Sequence, residues 1–195
     1  TSRIPIWLPE LSKQKRIAQI LNKSDSLRTL YVQRRECIKE LLRSCFFDIF
    51  GDPVTNPKGW EVKNFESFAF LLSGFAFKSK EYSNDQGNTK LCRGINVGLG
   101  NLSWKDTAYW NKSTDQNLEK YVLSEWDIVV AMDRPWISGG FKSCLITKRD
   151  ENCLLVQRVM RIRALNKVYA PFLLQLINHP FFKQELPHSI IDFIF

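Results

Sequence analysis

From Leu11 to Phe47 the chain contains neither glycine nor proline. Apolar residues recur through that stretch at Ile17, Ile20, Leu21, Leu27, Leu30, Tyr31, Ile38, Leu41, Leu42, Cys45 and Phe46. The spacing is helical, and much of it fits a seven-residue repeat. One register sets Ile17, Ser24, Tyr31, Ile38 and Cys45 along one seam position and Ile20, Leu27, Arg34 and Leu41 along the other. At 1.5 Å per residue the predicted helix is about 50 Å long. A single helix with an apolar stripe needs a surface to bury it. The stretch therefore reads as a spacer and docking rod. Its pairing face carries Ile20, Leu27, Tyr31, Ile38 and Leu41.

The rod is also the basic part of the chain. Nine Lys/Arg stand against three Asp/Glu between Leu11 and Phe47, whereas the remainder from Asp48 onward carries 18 against 16. A basic helix suits nucleic acid or an acidic partner, and it is equally the pattern of a solvated polar face. Ser12 is a candidate N-cap, with Glu10 leaving the start uncertain by a turn. The helix is expected to stop near Ile49-Phe50, where Gly51 supplies a left-handed cap and Pro53 follows.

Residues 51–60, Gly-Asp-Pro-Val-Thr-Asn-Pro-Lys-Gly-Trp, form a turn-rich connector. The division expected is 1–50 rod, 51–60 connector and 61–195 globular domain, with Trp60 and Val62 beginning its core. Beyond the connector the signals are mixed. Phe65 to Leu72 reads as strand or helix. Lys90 to Val97, Asp127 to Met132, Phe141 to Thr147, Leu154 to Val156 and Val159 to Arg163 read as strands, with a tight turn at Gly139-Gly140. Tyr169 to Asn178 is a second helix ended by Pro180, and Phe181 to Leu186 adds a further turn. The fold class is α+β: a long coiled-coil-type helix followed by a mixed-sheet domain.

The hydrophobic share of 44% supports a real core. No apolar run approaches the eighteen or more residues a membrane span needs. The five cysteines form no C-x-x-C pair, so zinc ligation and a disulfide framework have little support, and reduced thiols in a cytoplasmic protein are the expectation. Gly94, Gly98 and Gly100 do not make G-x-G-x-x-G, and there is no P-loop. Asn56-Pro57-Lys58-Gly59-Trp60 only faintly echoes a methyltransferase motif. Glu61-Val62-Lys63 with Asp52 is a bare match to a metal-nuclease triad. His179 and His188 stand apart from any nucleophile and orienting group.

Binding chemistry remains. Lys78, Lys80, Arg93, Asn96, Arg134, Lys142, Gln157 and Arg158 lie in predicted loops, interleaved with Phe75, Phe77 and several tryptophans. Gln157-Arg158 suits base edges, since Gln bridges adenine and Arg guanine. Arg161 and Arg163 alternate with apolar residues, as on a solvated strand face. On residues alone, DNA recognition, a protein-interaction module with a coiled-coil rod, and a degenerate nuclease using Glu61 and Lys63 stay open.

Three stretches carry a resemblance. Residues 4–17, Ile-Pro-Ile-Trp-Leu-Pro-Glu-Leu-Ser-Lys-Gln-Lys-Arg-Ile, form the first. Leu41-Leu42-Arg43-Ser44 through Phe50-Gly51-Asp52-Pro53, continued by Asn56-Pro57-Lys58-Gly59-Trp60, forms the second. The third and loosest is Ser73-Gly74-Phe75-Ala76-Phe77-Lys78-Ser79 with Arg93 to Asn96, Glu125-Trp126-Asp127-Ile128 and Val156-Gln157-Arg158-Val159. Together these resemble the specificity (S) subunit of type I restriction–modification enzymes, with Trp7 where leucine is usual and Glu10 in place of the second proline. A full S subunit alternates domain, helix, domain, helix, so this chain is expected to correspond to its second half without the last helix, or to a shortened natural chain.

The resemblance implies a non-catalytic target-recognition domain that reads one half of a bipartite site on double-stranded DNA. It implies a helix that pairs with a second conserved helix or self-associates, and docks the modification (methyltransferase) subunit, with the restriction subunit in the full complex. No cofactor is implied for the chain, since S-adenosylmethionine would be held by the modification subunit.

Overall fold

The computed structural model of the protein describes residues 7–111, 117–138 and 140–179. The chain divides into two compact units, Thr1–Asp52 and Pro53–Phe195.

The first unit is dominated by helix α1, Leu11–Phe50, which at 40 residues is about 60 Å long. The absence of helix breakers lets it run to Phe50, where the sequence places its end. Gly51 ends it at φ 80°, donating its N–H to the Phe47 carbonyl at 2.8 Å, which is the left-handed termination a glycine allows. The start differs from the expected cap. Ser12 lies inside the helix, Glu10 holds the cap position without a side-chain bond, and the Gln14 amide instead donates to the Pro9 carbonyl at 2.7 Å. Ser24 and Ser26 point their hydroxyls back to the carbonyls of Ile20 and Asn22, each at 2.9 Å, so the polar interruptions of the stripe are satisfied within the helix. Apart from Phe46, no residue of α1 is buried. Ile20, Leu27, Tyr31, Ile38 and Leu41 are between 48% and 71% exposed.

The second unit holds nine strands and a short helix among its described residues. The strands are β1 Ala69–Ser73, β2 Thr89–Cys92, β3 Tyr109–Trp110, β4 Ile128–Ala131, β5 Trp136–Ile137, β6 Gly140–Phe141, β7 Ser143–Leu145, β8 Leu154–Leu155 and β9 Val159–Ala164, followed by α2 Tyr169–Ile177. Phe65–Ser67 is a 3-10 turn before β1. One sheet has the order β1-β9-β4-β7 and is antiparallel throughout. A smaller mixed sheet, β3-β2-β8, pairs β2 with β8 in parallel at Leu91↔Leu154. β5 and β6 form a hairpin.

β4 is buried at every position, as its unbroken Ile-Val-Val-Ala run requires of a central strand. Its side chains alternate between two cores. Ile128 and Val130 join Met160, Ile162, Leu173 and Ile177 on the α2 side. Val129 and Ala131 join Cys92, Leu123, Leu155 and Val159 on the other. A third cluster, Phe77, Leu91, Trp110 and Leu154, fills the small sheet.

Two expectations are corrected here. Trp60 and Val62 do not begin the core, being 56% and 86% exposed, and the buried run starts near Ala69. Nor do Arg161 and Arg163 lie on a solvated face. Arg161 is buried and donates from Nη1 to the Lys120 carbonyl at 2.8 Å. Its guanidinium is pushed below its ordinary pKa by burial, with Arg163 adding to the fall and Asp127 opposing it. Arg163 grips the buried Asp127 carboxylate with both arms of its fork, at 2.6 and 2.7 Å. That hydrogen bond holds its pKa up. Strand alternation set these arginines facing inward, and the carbonyls and carboxylate of the 119–127 loop receive them. The sheet expected over 90–97 also shortens: β2 stops at Cys92, where a turn takes over. The predicted turn at Gly139-Gly140 and the segment from Pro180 to Leu186 lie wholly or partly outside the described residues.

Candidate nucleic-acid interface

The turn between β8 and β9 is the centre of the site. Val159 donates its N–H to the Val156 carbonyl at 3.1 Å, which puts Gln157 and Arg158 at the tip. Arg158 has φ 65°, a left-handed conformation that costs a residue with a Cβ on the order of 1–3 kcal/mol and is held only by its surroundings. Those surroundings are main-chain bonds. Gly74 N–H reaches Val159 O at 3.0 Å, Phe75 N–H reaches Leu155 O at 3.0 Å, and Gln157 N–H reaches Phe75 O at 2.8 Å. Gly74 is required for this approach, since a Cβ there would collide with the Val156 carbonyl. The Ser73-Gly74-Phe75 stretch is thus the strap that fixes the turn.

A second loop lies beside it. Met132 donates to the Arg158 carbonyl at 2.9 Å, and Lys142 donates its N–H to the Pro135 carbonyl at 2.7 Å. Between them Arg134 sits at φ 46°, a second arginine in the left-handed region. A third loop, Arg93–Asn96, closes with Asn96 N–H to Arg93 O at 2.8 Å. Together the three loops line a concavity of about 540 Å³. Arg93, Arg134, Lys142 and Arg158 give it four cations, Gln157 an uncharged amide and Asp133 one carboxylate.

The structure therefore brings together five of the eight residues named for DNA from sequence, although 64 positions separate Arg93 from Gln157. They play different parts. Arg93 is locked, its Nη2 donating to the Asp106 carbonyl at 2.7 Å and carboxylate at 2.9 Å, with its guanidinium over the Tyr82 ring. The Tyr82 hydroxyl is raised above its ordinary pKa by burial, against the opposing charge of Arg93. Lys142 is held by its Nζ donating to Gly94 O at 2.9 Å. Gln157, Arg158 and Arg134 are exposed, and the Arg158 guanidinium meets the Asp133 carboxylate at 3.5 Å.

Asn96 requires a correction. It is 1% exposed, its Oδ1 accepts from Arg93 N–H at 3.0 Å, and its Nδ2 donates to the Ser103 and Asp106 carbonyls at 2.9 and 2.8 Å. A side chain so occupied braces the loop and leaves nothing to offer a base. Lys78 and Lys80 are exposed but are not among the groove's lining residues. Lys78 pairs with Glu81 at 3.5 Å. The groove members that sequence reasoning missed are Asp133, Tyr82 and the exposed apolar pair Ile95 and Ile137. The Asp133-Arg134-Pro135 turn signal was the one available in sequence. Glu61 and Lys63 form a surface ion pair at 2.8 Å, and no metal-binding group of His, Cys, Asp and Glu occurs among the described residues.

Comparison with known proteins finds similar sequences. Over 111 residues the chain is 38% identical to the specificity subunit of the type I restriction enzyme EcoAI of Escherichia coli. Over 201 residues, 96% of the chain, it is 29% identical to the MjaVIII specificity subunit of Methanocaldococcus jannaschii. The chain is thus similar to two type I restriction specificity subunits. These matches span 18% of the first relative and 47% of the second. No family model matches. A solved chain of a type I restriction–modification system shares the fold at TM-score 0.52 and 15% identity, covering 94% of this chain and 44% of that one. The HsdS subunit of Thermoanaerobacter tengcongensis aligns over 88% of this chain and 42% of its own at TM-score 0.49 and 17% identity. The α+β fold of this chain is thus similar to that of the solved chain that aligns at TM-score 0.52.

Proposed function

We propose that the chain is a DNA sequence-recognition component of a type I restriction–modification system, in which the second unit reads one half of a bipartite target. The observation that carries this is the groove that collects Arg93, Arg134, Lys142, Gln157 and Arg158 from three loops. Four cations against one carboxylate suit a phosphate backbone, and Gln157-Arg158 at a fixed turn tip suits base edges in the major groove. The locked pair, Arg93 and Lys142, shapes the field, and the displayed residues make the contacts. The chain itself performs recognition and not catalysis, and it acts in the cytoplasm. S-adenosylmethionine and methyl transfer belong to a modification subunit. That subunit docks on α1 through Ile20, Leu27, Tyr31, Ile38 and Leu41, with a restriction subunit completing the assembly. No helix among the described residues is long and apolar enough to cross a membrane.

The test is binding of the chain to labelled duplex DNA across a salt series. Up to two phosphate contacts from the displayed cations give a log–log slope of about −1 to −2. Arg134→Ala flattens that slope by about one unit, equally for all sequences. Binding to no duplex at low salt, together with capture of a protein ligand, would replace this reading by the protein-interaction module.

A further inference from the structure

Asp133 is out of place in a groove built for DNA. A carboxylate among four cations weakens attraction to phosphate, and its ion pair with Arg158 does little for folding. The two side chains are 55% and 73% exposed and 3.5 Å apart, the regime in which ion pairs contribute little. Yet the structure holds the pair firmly in place from the main-chain side. Met132, the residue before Asp133, donates its N–H to the Arg158 carbonyl at 2.9 Å. Arg134, the residue after it, and Arg158 itself occupy left-handed conformations. The backbone that positions a carboxylate beside a guanidinium is specified, while the contact between them is loose.

We propose that Asp133 and Arg158 act together as the reader of one G·C base pair in the major groove. The deduction rests on the DNA-recognition reading above and on the edge pattern of the base pair. Across its major-groove edge a G·C pair presents two acceptors, guanine N7 and O6, and then one donor, cytosine N4–H₂. A guanidinium fork supplies two donors and a neighbouring carboxylate supplies an acceptor, in the complementary order. An A·T pair places its adenine N6–H₂ donor where the fork needs an acceptor and its thymine O4 where the carboxylate needs a donor. Arg158 alone would favour guanine. The addition of Asp133 makes the pair intolerant of A·T and offsets the loss of phosphate attraction by selectivity. The 3.5 Å gap in the free chain keeps both groups displayed side by side and ready to exchange each other for a base edge.

The experiment is selection of the 195-residue chain against a randomised duplex library at low salt, followed by affinities for the enriched duplex and its single substitutions. The expected consensus contains a G·C position at which Arg158→Ala and Asp133→Ala each lower discrimination by about 5- to 150-fold, the range for one good base contact. The double variant loses less than the two single losses combined, because the two act on one base pair. Replacing guanine by inosine there leaves affinity unchanged, since the major-groove edge is the same, whereas 7-deazaguanine weakens it. If Asp133→Ala instead strengthens binding to all duplexes with the consensus intact, the carboxylate is only a charge brake and the proposal is overturned. A consensus unaffected by either variant also overturns it and leaves the DNA-recognition reading standing. A library from which nothing is enriched overturns that reading, and this one with it.

Discussion

In α1, Ile20, Leu27, Ile38 and Leu41 stand roughly half exposed along a helix with no breaker, while in the second unit Ile128, Ile162, Leu155 and Leu173 are sealed within two cores. Both regions have abundant apolar residues. The difference is what the local period allows. A 3.6-residue period puts the apolar residues on one stripe of a rod that cannot fold back on itself. Alternation along β4 and β9 sends side chains to both faces of a sheet, and the loops and α2 close over them. The second unit therefore carries its own stability, and α1 draws its stability from whatever covers the stripe.

The sharpest way to break the contrast is at the buried Asp127 and its partly exposed partner Arg163. Asp127→Ala leaves Arg163 without its carboxylate and removes the acceptor for the Ser124 N–H. A loss of about 2–5 kcal/mol in denaturant unfolding of the second unit is expected, from charge-assisted hydrogen bonds of about 1.5–3 kcal/mol each. Leu155→Ala, at a site with no exposure, costs about 2–5 kcal/mol in the same assay.

Thiols give a contrast that spans both units. Cys37 and Cys45 on α1 are exposed, and Cys92, Cys144 and Cys153 are buried. Burial, with Asp150 and Cys153 nearby, pushes the Cys144 thiol up to about 12. A thiol reagent at neutral pH should label two cysteines in the native chain and five in denaturant. Because the folded-state pKa lies above the ordinary thiol value of about 9, the neutral thiol's contribution is whole below about pH 9 and declines as pH rises toward 12. Alkaline unfolding midpoints should record that decline, and Cys144→Ser should reduce it. The smallest effect is expected from Leu27→Asp. It should abolish pairing of α1 in sedimentation while changing the unfolding of the second unit by no more than about 0.5 kcal/mol. Coupled loss of both would show that the stripe serves the chain's own core.

Regular elements were legible where a period dominates. The Gly/Pro-free run located α1 and its glycine stop, the Ile-Val-Val-Ala run located β4, and Leu173 with Ile177 marked α2. The side-chain roles were less so. Asn96 looks in sequence like any loop amide, and only folding reveals that three backbone groups occupy it. Arg161 and Arg163 alternate as a solvated face would, and the burial of Arg161 and the pairing of Arg163 depend on a carbonyl and a carboxylate some forty positions away. The groove unites loops from four distant stretches, so no local pattern announces it. Gly74 belongs to a stretch that resembles the S subunits, but its purpose, close approach to Val156, is visible only in three dimensions.

That strap has a consequence for how such a domain changes. Every bond that shapes the tip of the β8–β9 turn comes from main chain: Gly74, Phe75, Leu155, Val156 and Val159 hold it without using the side chains of Gln157 or Arg158. The two side chains are movable type set in a fixed block. Substitutions at 157 leave the block untouched, and at 158 the positive φ admits asparagine or glycine most cheaply. A lineage can therefore rewrite what this turn presents in one or two steps without renegotiating the core beneath it.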